Sequence, residues 1–251
     1  MPMHVHTFGV HSAKNRGLWV HGWMGSGLEG EALQKSLGDD FQLCCPDLPG
    51  HGETPLKDWD LSATLSELAR FAGKGNWAGG YSMGGRLLMM TAARFPQSVF
   101  RLVIESAGLG FSDPKLRAER RQLDHKRGEL LKERGLSAFC KDWYQMEMWG
   151  GAEDFPMREG KEEGLARALE RFSVGNQPDL RLWLQSTPRS VLWLAGERDP
   201  VYSEQAQWVK QHTRHPVEML DTGHNIHHQH PEAWAEKIKT FLRKKPGGRV
   251  Q

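Results

Sequence analysis

The 251-residue chain contains no apolar run approaching the roughly 18 residues that would suggest a membrane span, so no membrane insertion is expected. Residues 1–10 lack a basic stretch followed by an apolar core and do not read as a secretory signal. Cysteine is scarce. Cys44 and Cys45 are adjacent at a strand end, where their side chains point to opposite faces and do not pair, and Cys140 stands alone. An odd count without metal-ligand spacing fits reduced thiols and a cytoplasmic location. An excess of one charge is also lacking: 33 lysines and arginines against 31 aspartates and glutamates leave a formal +2. That argues against nucleic acid as a partner but leaves room for a local basic site that takes an acidic small molecule. No internal repeat is visible. A single domain over 1–251, large enough to bury a sizeable core, is expected, as a monomer or weak homo-oligomer.

What the chain does contain is an alternation of short apolar runs and helical patterns. Residues 18–20, 41–45, 77–80, 102–106, 191–195 and 217–220 read as strands. Leu61, Leu65, Leu68 and Ala72 repeat at helical spacing, so 61–72 reads as an amphipathic helix ended by Gly73 and Gly75. Residues 84–95 read as a helix stopped by Pro96, and 231–242 as one begun by Pro231. This order predicts an α/β fold with a mostly parallel, doubly wound sheet. From about 111 to 185 the rhythm breaks. No strand is evident there, and Leu165, Ala168, Leu169 and Phe172 fall at helical spacing after a charge-dense stretch over 115–134. A helical cap inserted before the last strands is expected, lying over the carboxyl ends where open α/β sheets bind ligands. The tail 244–251 carries two glycines and few apolar groups and is expected to fray.

Gly80-Tyr81-Ser82-Met83-Gly84 has the Gly-x-Ser-x-Gly form of a nucleophile elbow, between a predicted strand and a predicted helix. Small residues on both sides let the chain turn sharply, and the helix N-terminus favours negative charge developing near the hydroxyl. Asp199 follows the strand at 191–195, and His224 follows the strand at 217–220. Serine, acid and histidine at successive strand ends occur in the order of an α/β-hydrolase triad, with Glu197 as the nearest competitor for the acid. In that arrangement the backbone N–H groups of Trp23, in the His21-Gly22-Trp23 loop, and of Met83 form the oxyanion hole. The side chain of Trp23 fits pocket wall or core equally. Arg86, one helical turn beyond Ser82, opposes the helix dipole. An arginine placed there points to an anionic substrate, unless it faces outward into a surface pair. The histidines at 224, 227, 228 and 230 flank a helix start, and His224 is wanted by the triad, so no metal and no cofactor are expected. Trp193 and Trp234 read as core.

The motifs 80–86 (Gly-Tyr-Ser-Met-Gly-Gly-Arg), 46–52 (Pro-Asp-Leu-Pro-Gly-His-Gly), 117–120 (Arg-Ala-Glu-Arg), 142–145 (Asp-Trp-Tyr-Gln), 177–180 (Gln-Pro-Asp-Leu), 196–199 (Gly-Glu-Arg-Asp) and 223–225 (Gly-His-Asn) together resemble one family over nearly the whole chain. It is that of the menaquinone-pathway 2-succinyl-6-hydroxy-2,4-cyclohexadiene-1-carboxylate synthases. The first two motifs are common among related hydrolases; Arg86 combined with the segments at 117–120 and 142–144 is far more specific. The resemblance implies a lyase that removes a proton and expels pyruvate from a small polycarboxylate, with Ser82 as base. It also implies that Arg86, Arg120 and, as the third arginine, Arg158 hold carboxylates, and that Tyr81 and Trp143 line the pocket. The spacing between Arg158 and the Gly164-Leu165-Ala166 segment is not constant in the family. A serine hydrolase, either an esterase or a carbon–carbon bond hydrolase, with Ser82 as nucleophile is the alternative enzyme. A non-catalytic binding protein on this scaffold would have no need of an intact triad.

Overall fold

The computed structural model describes residues 2–57, 59–99, 101–153, 155, 158 and 160–244, so the tail expected to fray lies, apart from Lys244, outside the described residues. The chain opens with strands β1 (Val5–Phe8) and β2 (Asn15–Val20), followed by helix α1 (Gly30–Leu37) and β3 (Phe41–Pro46). Next come α2 (Leu61–Ala72), β4 (Trp77–Tyr81), α3 (Met83–Arg94) and β5 (Arg101–Glu105). Helices α4 (Pro114–Arg134), α5 (Leu136–Trp143), α6 (Glu162–Arg171) and α7 (Arg181–Ser186) then separate β5 from β6 (Ser190–Gly196). Helix α8 (Pro200–His212), β7 (Val217–Leu220), α9 (Ile226–Gln229) and α10 (Pro231–Arg243) complete the described chain.

The seven strands form one sheet in the order β1-β3-β2-β4-β5-β6-β7. Every neighbouring pair is parallel except β1, which runs antiparallel to β3 with Val5 opposite Pro46. Alternation along the strands splits the core into two layers. Leu18, Val20, Leu102, Ile104, Val191 and Trp193 belong to one layer, with Leu65 and Leu68 of α2 and Leu87 of α3. Trp19, Val103, Leu192 and Leu194 belong to the other, with Leu33 and Leu37 of α1 and Trp234 and Ile238 of α10. Trp193 and Trp234, expected in the core, are both fully buried. Trp234 meets Trp19 edge to face at 5.1 Å, which ties the last helix to the second strand.

The helix starts follow capping chemistry. Asp60 accepts the Ala63 N–H at 2.7 Å ahead of α2, and Asp113 accepts that of Lys115 at 2.7 Å ahead of α4, where Pro114 takes the first turn. Such caps contribute about 1 kcal/mol each. Among the described residues from 106 to 189 there is no strand, and α4 packs along α6. The indole of Trp23, in the loop after β2, donates to Leu165 O at 2.9 Å, so α6 is tied directly to the carboxyl end of the sheet.

Candidate active site

The turn between β4 and α3 places Ser82 in the left-handed region, at φ 50° and ψ −109°. A non-glycine residue there is strained, and its neighbours hold it in place. A Cβ on Gly80 would come within 2.7 Å of Gly84 C, and one on Gly84 within 2.1 Å of Val20 O. Only glycine lets helix α3 start this close to β2 and β4. Ser82 N donates to Glu105 O at 2.8 Å, which fixes the turn against β5.

His224 Nε2 lies 3.0 Å from Ser82 Oγ, and His224 Nδ1 lies 2.6 Å from Asp199 Oδ2. Asp199 is fully buried, while Glu197, the competing acid, is exposed in the same loop. With Nδ1–H donated to the carboxylate, Nε2 is free to accept the serine proton. The imidazole is packed on three sides, against Tyr81 at 5.2 Å, Tyr202 at 4.5 Å and Trp149 at 5.5 Å. Its backbone N–H donates to Met148 O at 2.9 Å, so the loop after β7 rests on the segment after α5. This arrangement can move a proton from Oγ to the imidazole and back.

Met83 opens α3, so its N–H has no carbonyl partner within that helix. Trp23 sits in a turn closed by Gly25 N to Gly22 O at 3.1 Å, with Met24 at φ 62°. His21 holds this turn. Its Nε2 accepts Leu48 N–H at 3.0 Å, so Nδ1 carries the proton that reaches Gly22 O at 2.7 Å. Burial lowers the His21 pKa and keeps that neutral form in place.

A cavity of about 270 Å³ opens beside the triad. Tyr81, Ser82, Met83, His224 and Trp23 line it, with Trp143 opposite, so the Trp23 side chain is pocket wall. Trp143 meets the Trp23 ring at 5.2 Å and stacks on Phe139 at 5.8 Å. Burial raises the Tyr81 hydroxyl well above its usual pKa.

Three arginines line the same cavity: Arg86, Arg120 and Arg127. Arg86 is buried and points inward. It donates to Phe172 O at 2.9 Å and to Gln177 Oε1 at 3.3 Å, both neutral acceptors. Among the described residues no carboxylate pairs with it, and burial draws its pKa down to about 10. Arg120 donates through Nε to both oxygens of Asp124, at 2.8 and 2.9 Å. Arg127 approaches Asp124 at 3.5 Å and lies over the Trp143 ring at 5.1 Å. Asp124 is fully buried and also accepts Ser173 Oγ at 2.7 Å. The other nearby acid, Glu147, stands exposed at the rim. Arg120 and Arg127 therefore share the one buried carboxylate of Asp124, while Arg86 has only neutral acceptors.

Arg158, implied as the third arginine, is not among the residues that line this cavity. Its Nη1 pairs with Glu29 Oε1 at 2.8 Å and its Nε donates to the Tyr144 hydroxyl at 2.6 Å. It borders a separate hollow of about 1080 Å³ that holds no triad residue. Burial is the largest single influence and opposes the charged form, but Glu29, Tyr144 and Tyr81 together outweigh it and raise the Arg158 pKa. Arg127, Trp149 and Tyr202 are among the pocket residues that sequence reasoning missed. Arg120, Asp124 and Arg127 stand at i, i+4 and i+7 of one helix, a spacing that puts all three on one face and could have flagged Arg127.

Fold and site together define the class, an enzyme with the α/β-hydrolase fold, and residues 18–237 match the Alpha/beta hydrolase family. Within that class the chain belongs to the family of the 2-succinyl-6-hydroxy-2,4-cyclohexadiene-1-carboxylate synthases. The synthase of that name from Yersinia pestis bv. Antiqua (strain Nepal516) is 31% identical over 239 residues, covering 90% of this chain and 86% of the relative. Among solved structures, MenH from S. aureus is similar with a TM-score of 0.85 and 22% identity, covering 96% of this chain and 98% of that one. An esterase from Exiguobacterium antarcticum is similar with a TM-score of 0.78 and 16% identity, covering 96% of both chains. At such identities the solved structures speak for the fold alone.

Proposed function

We propose that this chain eliminates pyruvate from 2-succinyl-5-enolpyruvyl-6-hydroxy-3-cyclohexene-1-carboxylate to give 2-succinyl-6-hydroxy-2,4-cyclohexadiene-1-carboxylate. Ser82, activated by His224 and Asp199, takes the ring proton next to the succinyl ketone. The electron pair moves into the ring, the existing double bond shifts one place, and the carbon–oxygen bond to the enolpyruvyl group breaks. The proton held by His224 returns to the leaving enolate, which becomes pyruvate. Negative charge gathers on the succinyl oxygen during this step, and the N–H groups of Trp23 and Met83 receive it. The scheme forms no acyl-enzyme and calls for no cofactor.

The observation that carries this reading is Arg86. A buried guanidinium hydrogen-bonded only to neutral acceptors is costly unless an anion arrives. A substrate with three carboxylates supplies anions for Arg86, Arg120 and Arg127 together, while an uncharged ester supplies none. Helices α4–α7 act as a cap over the pocket. The reading extends to a monomer or weak homo-oligomer working in the cytoplasm on a small molecule. The alternative, ester hydrolysis with Ser82 as nucleophile, uses the same triad but leaves the buried Arg86 without an anionic partner. The deciding experiment follows pyruvate release from the enolpyruvyl substrate alongside hydrolysis of an uncharged p-nitrophenyl ester. Pyruvate release is expected to dominate, and comparable or faster ester hydrolysis would overturn the assignment.

A further inference from the structure

Strand β1 is the outer edge of the sheet, three places from β4 and its elbow. His4 and His6 are two residues apart on this extended segment, so both side chains leave from one face. Their rings meet edge to face at 4.6 Å. His6 Nε2 lies 3.2 Å from Asp47 Oδ2, and His4 Nδ1 lies 3.6 Å from Glu53 Oε2. One ligand atom each from His4, His6 and Asp47 falls within 4.8 Å of the other two.

The backbone fixes this cluster. Asp47 is buried directly after β3. Its Oδ1 accepts Gly27 N–H at 2.7 Å, and its Oδ2 accepts Glu53 N–H at 3.0 Å. His4 N donates to Thr54 Oγ1 at 2.8 Å, and His4 O accepts Asp47 N–H at 3.0 Å. The hydrogen bond to Asp47 accounts for His6 but not for His4, which faces His6 with Glu53 beside it.

We propose that His4, His6 and Asp47, with Glu53 as fourth ligand, form a structural site for a divalent first-row transition metal of the zinc class. Zinc bonds to nitrogen and oxygen near 2.0–2.2 Å place the ligand atoms of a tetrahedron about 3.3 Å apart. The spacings of 3.2 Å for His6 to Asp47 and 3.6 Å for His4 to Glu53 are close to that, while Glu53 stands outside the group within 4.8 Å that the other three form and has to swing in. The remaining closure falls to side chains that can move, since His4 is 39% and Glu53 73% exposed. Two carboxylates with two neutral imidazoles balance a divalent charge, and imidazole nitrogen selects against magnesium and calcium. The ion clamps the edge strand to the loop after β3. That loop grips His21 through Leu48 N–H, so the clamp stiffens the turn that carries Trp23.

The test uses the full chain and Zn²⁺ alone as probe. Calorimetric titration is expected to show one saturable equivalent, and the melting temperature is expected to rise with Zn²⁺ concentration. Co²⁺ in its place is expected to give the strong visible absorption of a four-coordinate site. His4→Gln and His6→Gln are each expected to weaken binding by at least about tenfold, since losing even an outer partner of a metal ligand typically costs 10–100-fold. His4 lies at the surface, so its variant keeps the fold even if His6→Gln does not. Absence of saturable binding would overturn the proposal. So would wild-type affinity in His4→Gln, which would move the ion to other histidines such as those at 227–230.

Discussion

Asp199 divides its carboxylate between two tasks: Oδ2 holds His224 Nδ1 at 2.6 Å, while Oδ1 accepts Tyr202 N–H at 3.2 Å and caps helix α8. Asparagine caps a helix about as well as aspartate does. It cannot, however, hold the imidazole in the tautomer that leaves Nε2 free to take the serine proton. Asp199→Asn is therefore expected to lower turnover by about 10³–10⁴-fold with little change in melting temperature. Glu197→Gln, at an exposed position, is expected to leave both unchanged. Steady-state pyruvate release and a thermal melt on each variant check this, and the reverse pattern would reassign the acid.

Arg86 gives the second prediction. Its pKa near 10 keeps it charged throughout the neutral range, so anion binding that depends on it is expected to be flat there and to fall as pH rises through about 10. Small tricarboxylates such as citrate are expected to raise the melting temperature of the wild type by occupying the pocket. Arg86→Gln is expected to remove that rise. Arg86→Lys keeps a charge but not the planar fork and is expected to weaken catalysis substantially, while Arg86→Ala is expected to cost about 2–4 kcal/mol in kcat/KM. Normal pyruvate release by Arg86→Ala would break the link between this residue and the reaction.

Where burial follows from an apolar run, the structure was legible in the sequence. Strand β6 contains the predicted residues 191–195, all buried, and α2 matches residue for residue, because Leu65 and Leu68 face the core and Gly73 ends the helix. Strand β1 gave no such signal. It is a half-buried edge strand of sequence Val-His-Thr-Phe, and pairing with β3 stabilises it rather than an apolar face of its own. The same pairing makes the sheet mixed. The elbow and the order of the triad were legible because chain geometry dictates them locally. The fate of Arg158 was not, because its partner Glu29 lies 129 residues away in sequence. Arg127 sits in a helix charged almost all round, where only its spacing from Arg120 and Asp124 sets it apart.

Buried histidines set the third prediction. Burial would lower the His227 pKa, but Glu105 at 2.8 Å and Glu29 outweigh it and raise the pKa above its usual value near 6.5. A raised folded pKa stabilises fully below the unfolded value and is lost as pH rises through the folded one. His21, His51 and His215 are lowered, chiefly by burial, so their effect runs the other way: stability falls as pH drops from about 6.5. The melting temperature is therefore expected to peak near pH 6.5 and decline on both sides. His227→Gln is expected to flatten the decline above the peak and leave the acid side unchanged. An unaltered alkaline limb in that variant would count against the assignment.

The last prediction separates two arginines that look alike in sequence. Arg127 stands in the triad cavity, over Trp143, with only a distant hold on Asp124 at 3.5 Å. Its guanidinium therefore has hydrogen-bonding capacity left for a carboxylate. Arg158 has little to spare, because Glu29 and Tyr144 take its Nη1 and Nε and its side chain is 4% exposed. Removing a pocket cation that binds substrate weakens catalysis, whereas removing one half of a buried pair leaves an uncompensated charge and weakens the fold. Arg127→Gln is thus expected to raise KM for the polycarboxylate substrate about tenfold or more, with the melting temperature held. Arg158→Gln is expected to cost about 3 kcal/mol of stability by stranding Glu29, and Arg158→Gln combined with Glu29→Gln is expected to recover part of that loss. Kinetics and denaturant unfolding on the three variants distinguish the roles. A KM effect confined to Arg158→Gln at unchanged stability would show that Arg158 leaves Glu29 to bind substrate.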